Sequence, residues 1–132
     1  MEKTEVKYPS FPDVTANILL ESCSDTQWQV LCGDKDHWRV GYYSPVATSL
    51  EEVGKLEKHS CPELFLLLEG KVTLLLSDGK GIRTLELEKF KPVLVDSWHN
   101  GFCPEGPLYA KVLIVERDHF HTEYRVLKDF KP

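Results

Sequence analysis

The chain has 132 residues, 42% apolar and 28% charged, with a formal net charge of −5; this suits one globular domain able to bury a core without disulfides. Its 16 Lys and Arg are scattered among acids, as in Glu57-Lys58 and Glu86-Leu87-Glu88-Lys89, which argues against nucleic acid, because phosphate binding relies on clustered cations. No apolar run is long enough to span a membrane, and Met1-Glu2-Lys3-Thr4-Glu5 is charged with no apolar signal segment behind it, so a cytoplasmic protein is expected.

Residues 1–13, which include Pro9 and Pro12, read as an N-terminal arm ahead of a single domain over 14–132. Beyond the arm, short apolar segments alternate with turn residues. Strands are expected over 16–21, 28–32 and 38–43, the last two joined into a hairpin by Gly33-Asp34-Lys35-Asp36. Ser49 followed three residues later by Glu52 has a capping pattern, yet 49–53 reads better as a loop entering a strand. A strand ends over 56–59, Cys61-Pro62 bends the chain, and 63–69 is a strongly apolar strand stopped by Gly70. Segments 72–76 and 82–87 form a hairpin about Ser77-Asp78-Gly79-Lys80-Gly81. Further strands are expected over 92–96, 108–116 and 124–127, and Asn100-Gly101 reads as a turn. No amphipathic helix of useful length is apparent, so the class is all-β, a sandwich or barrel of about eight to ten strands.

The 4 cysteines, Cys23, Cys32, Cys61 and Cys103, contain no Cys-x-x-Cys pair. A structural zinc knuckle is therefore not expected, and free thiols are, with Cys23, Cys32 and Cys103 as small packing residues. The chemistry-bearing stretch is Glu57 to Gly70. Side chains two apart on a strand share a face, so Glu57 and His59 point the same way. The bend at Cys61-Pro62 returns the chain, and Glu63 opens the next strand facing the same place. His99 offers a second imidazole at the end of another strand. Two imidazoles with one or two carboxylates suit a divalent transition metal, with Zn, Mn, Fe and Ni all admissible. Taken singly, His59 is a loop histidine, Glu63 a partner for a lysine and Glu57 a solvated strand residue. Cys61 is a weaker ligand candidate, and His119-x-His121 lacks a carboxylate at matching spacing and reads as surface.

Here the chain resembles the cupin family. Its first motif runs Gly, five residues, His-x-His, three or four residues, Glu, six residues, Gly; this chain has Glu57-x-His59, three residues, Glu63, six residues, Gly70. Glu57 stands where the first histidine usually stands, and Glu51 replaces the leading glycine. Of the second motif, His99 survives, with Cys103 in place of the asparagine. The resemblance covers about residues 37–117 and implies a double-stranded β-helix, the jelly-roll barrel, with His59, Glu63 and His99 at matched ligand positions and Glu57 at a substituted one.

Trp98, Phe65 and Tyr42 are candidates to line a substrate site, and Arg39 to clamp a ligand carboxylate, since Arg reads carboxylates bidentately. The expected function is binding of a divalent metal and action on, or binding of, a small polar metabolite. A metal-free, non-catalytic sensing or carrier barrel is the alternative. Reaction type does not follow from these residues, because one fold hosts many functions. A homodimer is expected, because a partly open barrel leaves edge strands that association covers. Metal affinity is expected to fall below pH about 6, where protons compete for imidazole.

Overall fold

The computed structural model describes residues 2–5, 16–21 and 25–132. Among them the chain forms β1 (Glu2–Glu5), β2 (Trp28–Asp34), β3 (Trp38–Tyr43), β4 (Lys55–His59), β5 (Glu63–Glu69), β6 (Thr73–Ser77), β7 (Arg83–Glu86), β8 (Val93–Val95), β9 (Trp98–Phe102), β10 (Lys111–Arg117) and β11 (His121–Val126). Two antiparallel sheets face each other. One has the order β1-β11-β4-β9-β6-β7 and the other β2-β3-β10-β5-β8. Chain neighbours such as β4 and β5 fall in different sheets, which is the crossing pattern of a jelly roll. Of the expected N-terminal arm, residues 2–5 pair with β11; the rest of it, and Cys23, lie outside the described residues.

Period-2 alternation builds the core. On β5, Glu63, Phe65 and Leu67 are buried, and on β10 so are Val112, Ile114 and Glu116. Phe65, Leu67, Val112 and Ile114 meet Leu74 and Leu76 of β6 between the sheets, joined by Val72, Leu87, Cys103 and Ala110. A second cluster covers the outer face of the six-stranded sheet. There the C-terminal Phe130 packs with Val53, Leu56, Leu75 and Trp98. The β6–β7 hairpin turns where expected: Gly79 and Gly81 take positive φ of 122° and 65°, and Ser77 Oγ accepts from Gly79 N–H at 3.0 Å.

Four sequence expectations are corrected at this level. Residues 16–21 form no strand, because Asn17 turns into the left-handed region at φ 69° and interrupts the extended run. Residues 50–52 form a 3-10 turn rather than an open loop; Ser49 makes no side-chain cap, and Glu52 Oε1 instead accepts from the N–H and hydroxyl of Thr48. The expected turn at Asn100-Gly101 is the middle of β9. Asn100 sits there because its Nδ2 donates to Lys55 O at 2.8 Å, in place of a ladder bond between β4 and β9. Gly101 sits there because an added Cβ would press on Leu74, Thr73 O and the Tyr43 hydroxyl, each at 3.3 Å. Cys32, expected to be buried, is only half-buried.

Candidate metal centre

Sheet pairing brings the expected ligands together from three strands. Glu57 and His59 share the inward face of β4, and Glu57 is the register partner of His99 on β9. Glu63, the first residue of β5, enters from the opposite sheet. Glu57, His59 and His99 place donor atoms within 4.8 Å of one another. Nε2 of His59 lies 3.5 Å from Glu57 Oε1 and 3.0 Å from Glu63 Oε1. Nε2 of His99 lies 3.7 Å and 2.8 Å from the same two oxygens. Ligands bonded to one ion at about 2.1 Å lie about 3.0–3.4 Å apart for right-angle to tetrahedral arrangements, and the edges to Glu63 and to Glu57 fall on either side of that range.

Second contacts aim the imidazoles. His99 Nδ1 faces the carbonyl of Ser97 at 2.9 Å, and a carbonyl only accepts, so Nδ1 carries the hydrogen. The Nε2 of neutral His99 is then a bare lone pair pointed at Glu63 Oε1. His59 Nδ1 is 2.8 Å from Thr122 Oγ1. Glu63 Oε1 is fully buried and has no hydrogen-bond partner other than the two imidazoles that face it. With neutral His99, acceptor faces acceptor, and that contact is stable only with a cation between them, either a proton on the ring or a metal ion. The donor set therefore fits a divalent ion.

Electrostatics of the metal-free site agree. Burial works against charge on His59, but hydrogen bonds and attraction from Glu57 and Glu63 outweigh it and push the ring up to about 10. His99 is raised in the same way, burial again opposed by Glu63. Burial alone would raise Glu63, yet the two imidazoles hold it well below the usual carboxylate range. The carboxylates of this pocket thus favour positive charge between them.

The donors open into a cavity of about 470 Å³ whose lining includes Trp28, Arg39, Tyr43, Phe65, Glu116 and Phe120. Phe65 and Arg39 are among its lining residues. Trp98 is not. With His99 facing in, alternation on β9 turns Trp98 outward, where it packs edge-on to Phe130 with ring centres 5.5 Å apart. Tyr42 also faces out, its ring 5.1 Å from the Lys111 amine; its neighbour Tyr43 takes the cavity position. The phase of β3 is set by Gly41, which must face in because a Cβ there would strike the Trp28 ring at 2.5 Å. Burial, with the charges of Glu57 and Glu63 behind it, pushes the Tyr43 hydroxyl upward, so it stays a neutral donor. Arg39 is already engaged: its Nε and Nη2 meet Glu116 Oε2 at 2.7 and 2.6 Å. Cys61 is buried, and burial pushes its thiol upward. His119 and His121 meet edge-on with ring centres 6.2 Å apart, and His121 is exposed.

Sequence reasoning missed Tyr43, Thr122 and Glu116. The available signal for Glu116 was the alternation Val112, Ile114, Glu116, which puts a carboxylate on the inward face of an apolar strand.

Known structures agree on the fold. A cupin-2 domain protein from Shewanella frigidimarina aligns with TM-score 0.50 and 15% identity over 68% of this chain and 78% of its own. An RmlC-like cupin with a double-stranded β-helix from Methanocaldococcus jannaschii aligns with TM-score 0.54 and 13% identity over 79% and 93%. Fe(II)-HppE with the alternative substrate (S)-1-HPP aligns with TM-score 0.60 and 13% identity over 79% of this chain, which spans 62% of that one. The chain has the cupin double-stranded β-helix fold. No family model and no curated protein matches it, and no helix among the described residues is long and apolar enough to cross a membrane.

Proposed function

We propose that the chain binds one divalent transition metal, Zn, Mn, Fe or Ni, through Glu57, His59, Glu63 and His99, and binds or transforms a small polar metabolite in the adjoining cavity. The observation that carries this reading is the convergence of two imidazole Nε2 atoms on the buried Glu63 Oε1, at 3.0 and 2.8 Å, with Glu57 Oε1 beside them. A bound metal supplies Lewis acidity toward a substrate oxygen or water. The chain's own residues do the rest: Ser97 and Thr122 orient the imidazoles, Tyr43 donates from the wall, and Trp28, Phe65 and Phe120 shelter the cavity. That an Fe(II) protein shares the fold is compatible with this reading. The test is elemental analysis of untagged protein reconstituted separately with each metal. One equivalent is expected, with affinity falling at least about 100-fold in His59→Ala and His99→Ala. Glu57→Ala costs less, since its carboxylate is 36% exposed and farther from both rings. Wild-type protein that takes up none of the four would end the reading. Turnover on a metabolite panel then separates an enzyme from a sensing barrel.

We further propose a homodimer, formed through the outer face of the five-stranded sheet rather than its edges. Leu94, Leu64, Val115 and Val40 are successive register partners across four strands, and Leu94 and Leu64 are exposed. The other sheet's outer face is covered by Phe130. Five strands at about 4.8 Å by six residues at about 3.3 Å make a flat patch of several hundred Å², the scale a stable dimer buries per side. A second copy offers the matching flat, twisted apolar face. Light scattering should give the dimer mass, and Val115→Glu the monomer; a wild-type monomer at high micromolar concentration would exclude it.

A further inference from the structure

The cavity wall across from β4 and β9 holds a buried ion pair that the donor set does not include. Arg39 and Glu116, each 6% exposed, are direct register partners on β3 and β10. Both Nε and Nη2 of Arg39 close on one oxygen of Glu116, Oε2. The guanidinium is itself fixed, lying 5.1 Å from the Phe120 ring centre and 5.7 Å from that of Trp28. So Arg39 is not a free clamp awaiting a ligand; it holds Glu116 in place.

Glu116 in turn meets Glu63. Val115 of β10 pairs with Leu64 of β5, which sets the next residue of β10 beside the preceding residue of β5 on the inward face. That places two buried carboxyl groups side by side in the cavity wall. Two carboxyl groups that occupy one buried site share a proton rather than repel, which lets Glu116 donate to Glu63 while Arg39 holds its Oε2. A lone Glu side chain rotates freely about its last torsion. Glu63 instead is held from behind while its Oε1 faces His59 and His99.

We propose that Glu116, braced by Arg39, is a positioning residue for the metal centre, holding the Glu63 carboxylate so that Oε1 is presented to the ion. The inference rests on the metal reading above. It assigns Arg39 and Glu116 a role toward the ion rather than toward substrate, and it makes the sequence of contacts Phe120–Arg39–Glu116–Glu63 the frame of the site.

The test uses Co(II) as the probe, with affinity from chelator competition and geometry from its visible d–d spectrum. Glu116→Gln keeps both a donor for Glu63 and an acceptor for Arg39, and should bind within about 3-fold of wild type with an unchanged spectrum. Glu116→Leu should weaken Co(II) by about 10- to 100-fold, the usual cost of losing a partner behind a ligand, and shift the spectrum. Because that variant strands a buried guanidinium, the paired variant Arg39→Leu/Glu116→Leu removes both charges and is tolerated by a fold in which apolar isosteres can replace a buried ion pair; it should show the same loss and shift. Circular dichroism of each metal-free variant verifies folding. Wild-type affinity and spectrum in both leucine variants would overturn the positioning role while leaving the metal reading intact. Wild-type protein that binds no Co(II) would overturn both.

Discussion

The two ends of the barrel interior use the same strands for opposite purposes. Along β5 the inward series runs Glu63, Phe65, Leu67, and along β10 it runs Glu116, Ile114, Val112. One end is therefore a close-packed plug of Leu67, Leu74, Val72 and Val112, all no more than 2% exposed. The other end gathers two imidazoles, three carboxylates and a guanidinium around open volume. Packing supplies stability at the first end, since removing apolar area from water is the dominant favourable term in folding. At the second end, buried charges are satisfied only by one another or by a cation, which is weak support for stability and strong support for binding. The barrel thus separates its holding end from its working end by the four positions from Glu63 to Leu67 and from Val112 to Glu116.

The largest expected effect lies at the plugged end. Leu74→Ala removes a 1% exposed side chain from the centre of that cluster and should cost roughly 2–5 kcal/mol of folding stability. The metal affinity of the folded fraction should remain within about 3-fold of wild type, because sites without shared partners act nearly independently. Chemical denaturation paired with metal titration measures both. A loss of metal affinity in step with the loss of stability would break the separation of the two ends.

How far the site was legible before the fold follows the same division. His59, Glu63 and His99 could be picked out because a strand, a bend and a second strand leave a spacing that is visible along the chain. Glu116 could not be picked out by spacing, since its partners Arg39 and Glu63 lie 77 residues away for the first and on a separate strand for the second; only sheet pairing joins them. Tyr42 and Tyr43 are not distinguishable along the chain, because the phase of β3 depends on the Trp28 ring lying over Gly41, a contact between strands. Trp98 was misplaced for a related reason. Once Asn100-Gly101 is read as a turn, alternation no longer applies, and nothing forces Trp98 to the side opposite His99. The strand rhythm itself was largely readable, because it depends only on residues adjacent in sequence; the exceptions are 16–21, interrupted by the left-handed Asn17, and β9, hidden by the turn-like Asn100-Gly101.

The smaller expected effect is at the working end and concerns pH. His59 is raised from its ordinary 6.5 to about 10, so in the metal-free protein its contribution to stability is complete below about 6.5 and is lost as pH rises toward about 10. Glu63 is lowered from 4.5, so its contribution is present above 4.5 and is lost as pH falls below that. The metal-free cluster is therefore most stabilising between about 4.5 and 6.5. A metal ion must displace the proton on His59, and that proton is held far more tightly than on a free imidazole. The threshold near pH 6 expected from an ordinary histidine thus moves upward. Affinity should keep rising by at least about 10-fold per pH unit between about 7 and 9, with at least one proton released per ion bound. Titration calorimetry in buffers of different ionisation enthalpy counts that proton directly. The unfolding temperatures of metal-loaded and metal-free protein should also diverge with rising pH, because only the metal-free form loses its imidazolium–carboxylate attraction. Affinity that levels off above about pH 7 would mean that the imidazoles titrate as ordinary histidines, and that the two carboxylates do not hold the rings as closely as the 2.8 and 3.0 Å contacts of Glu63 require.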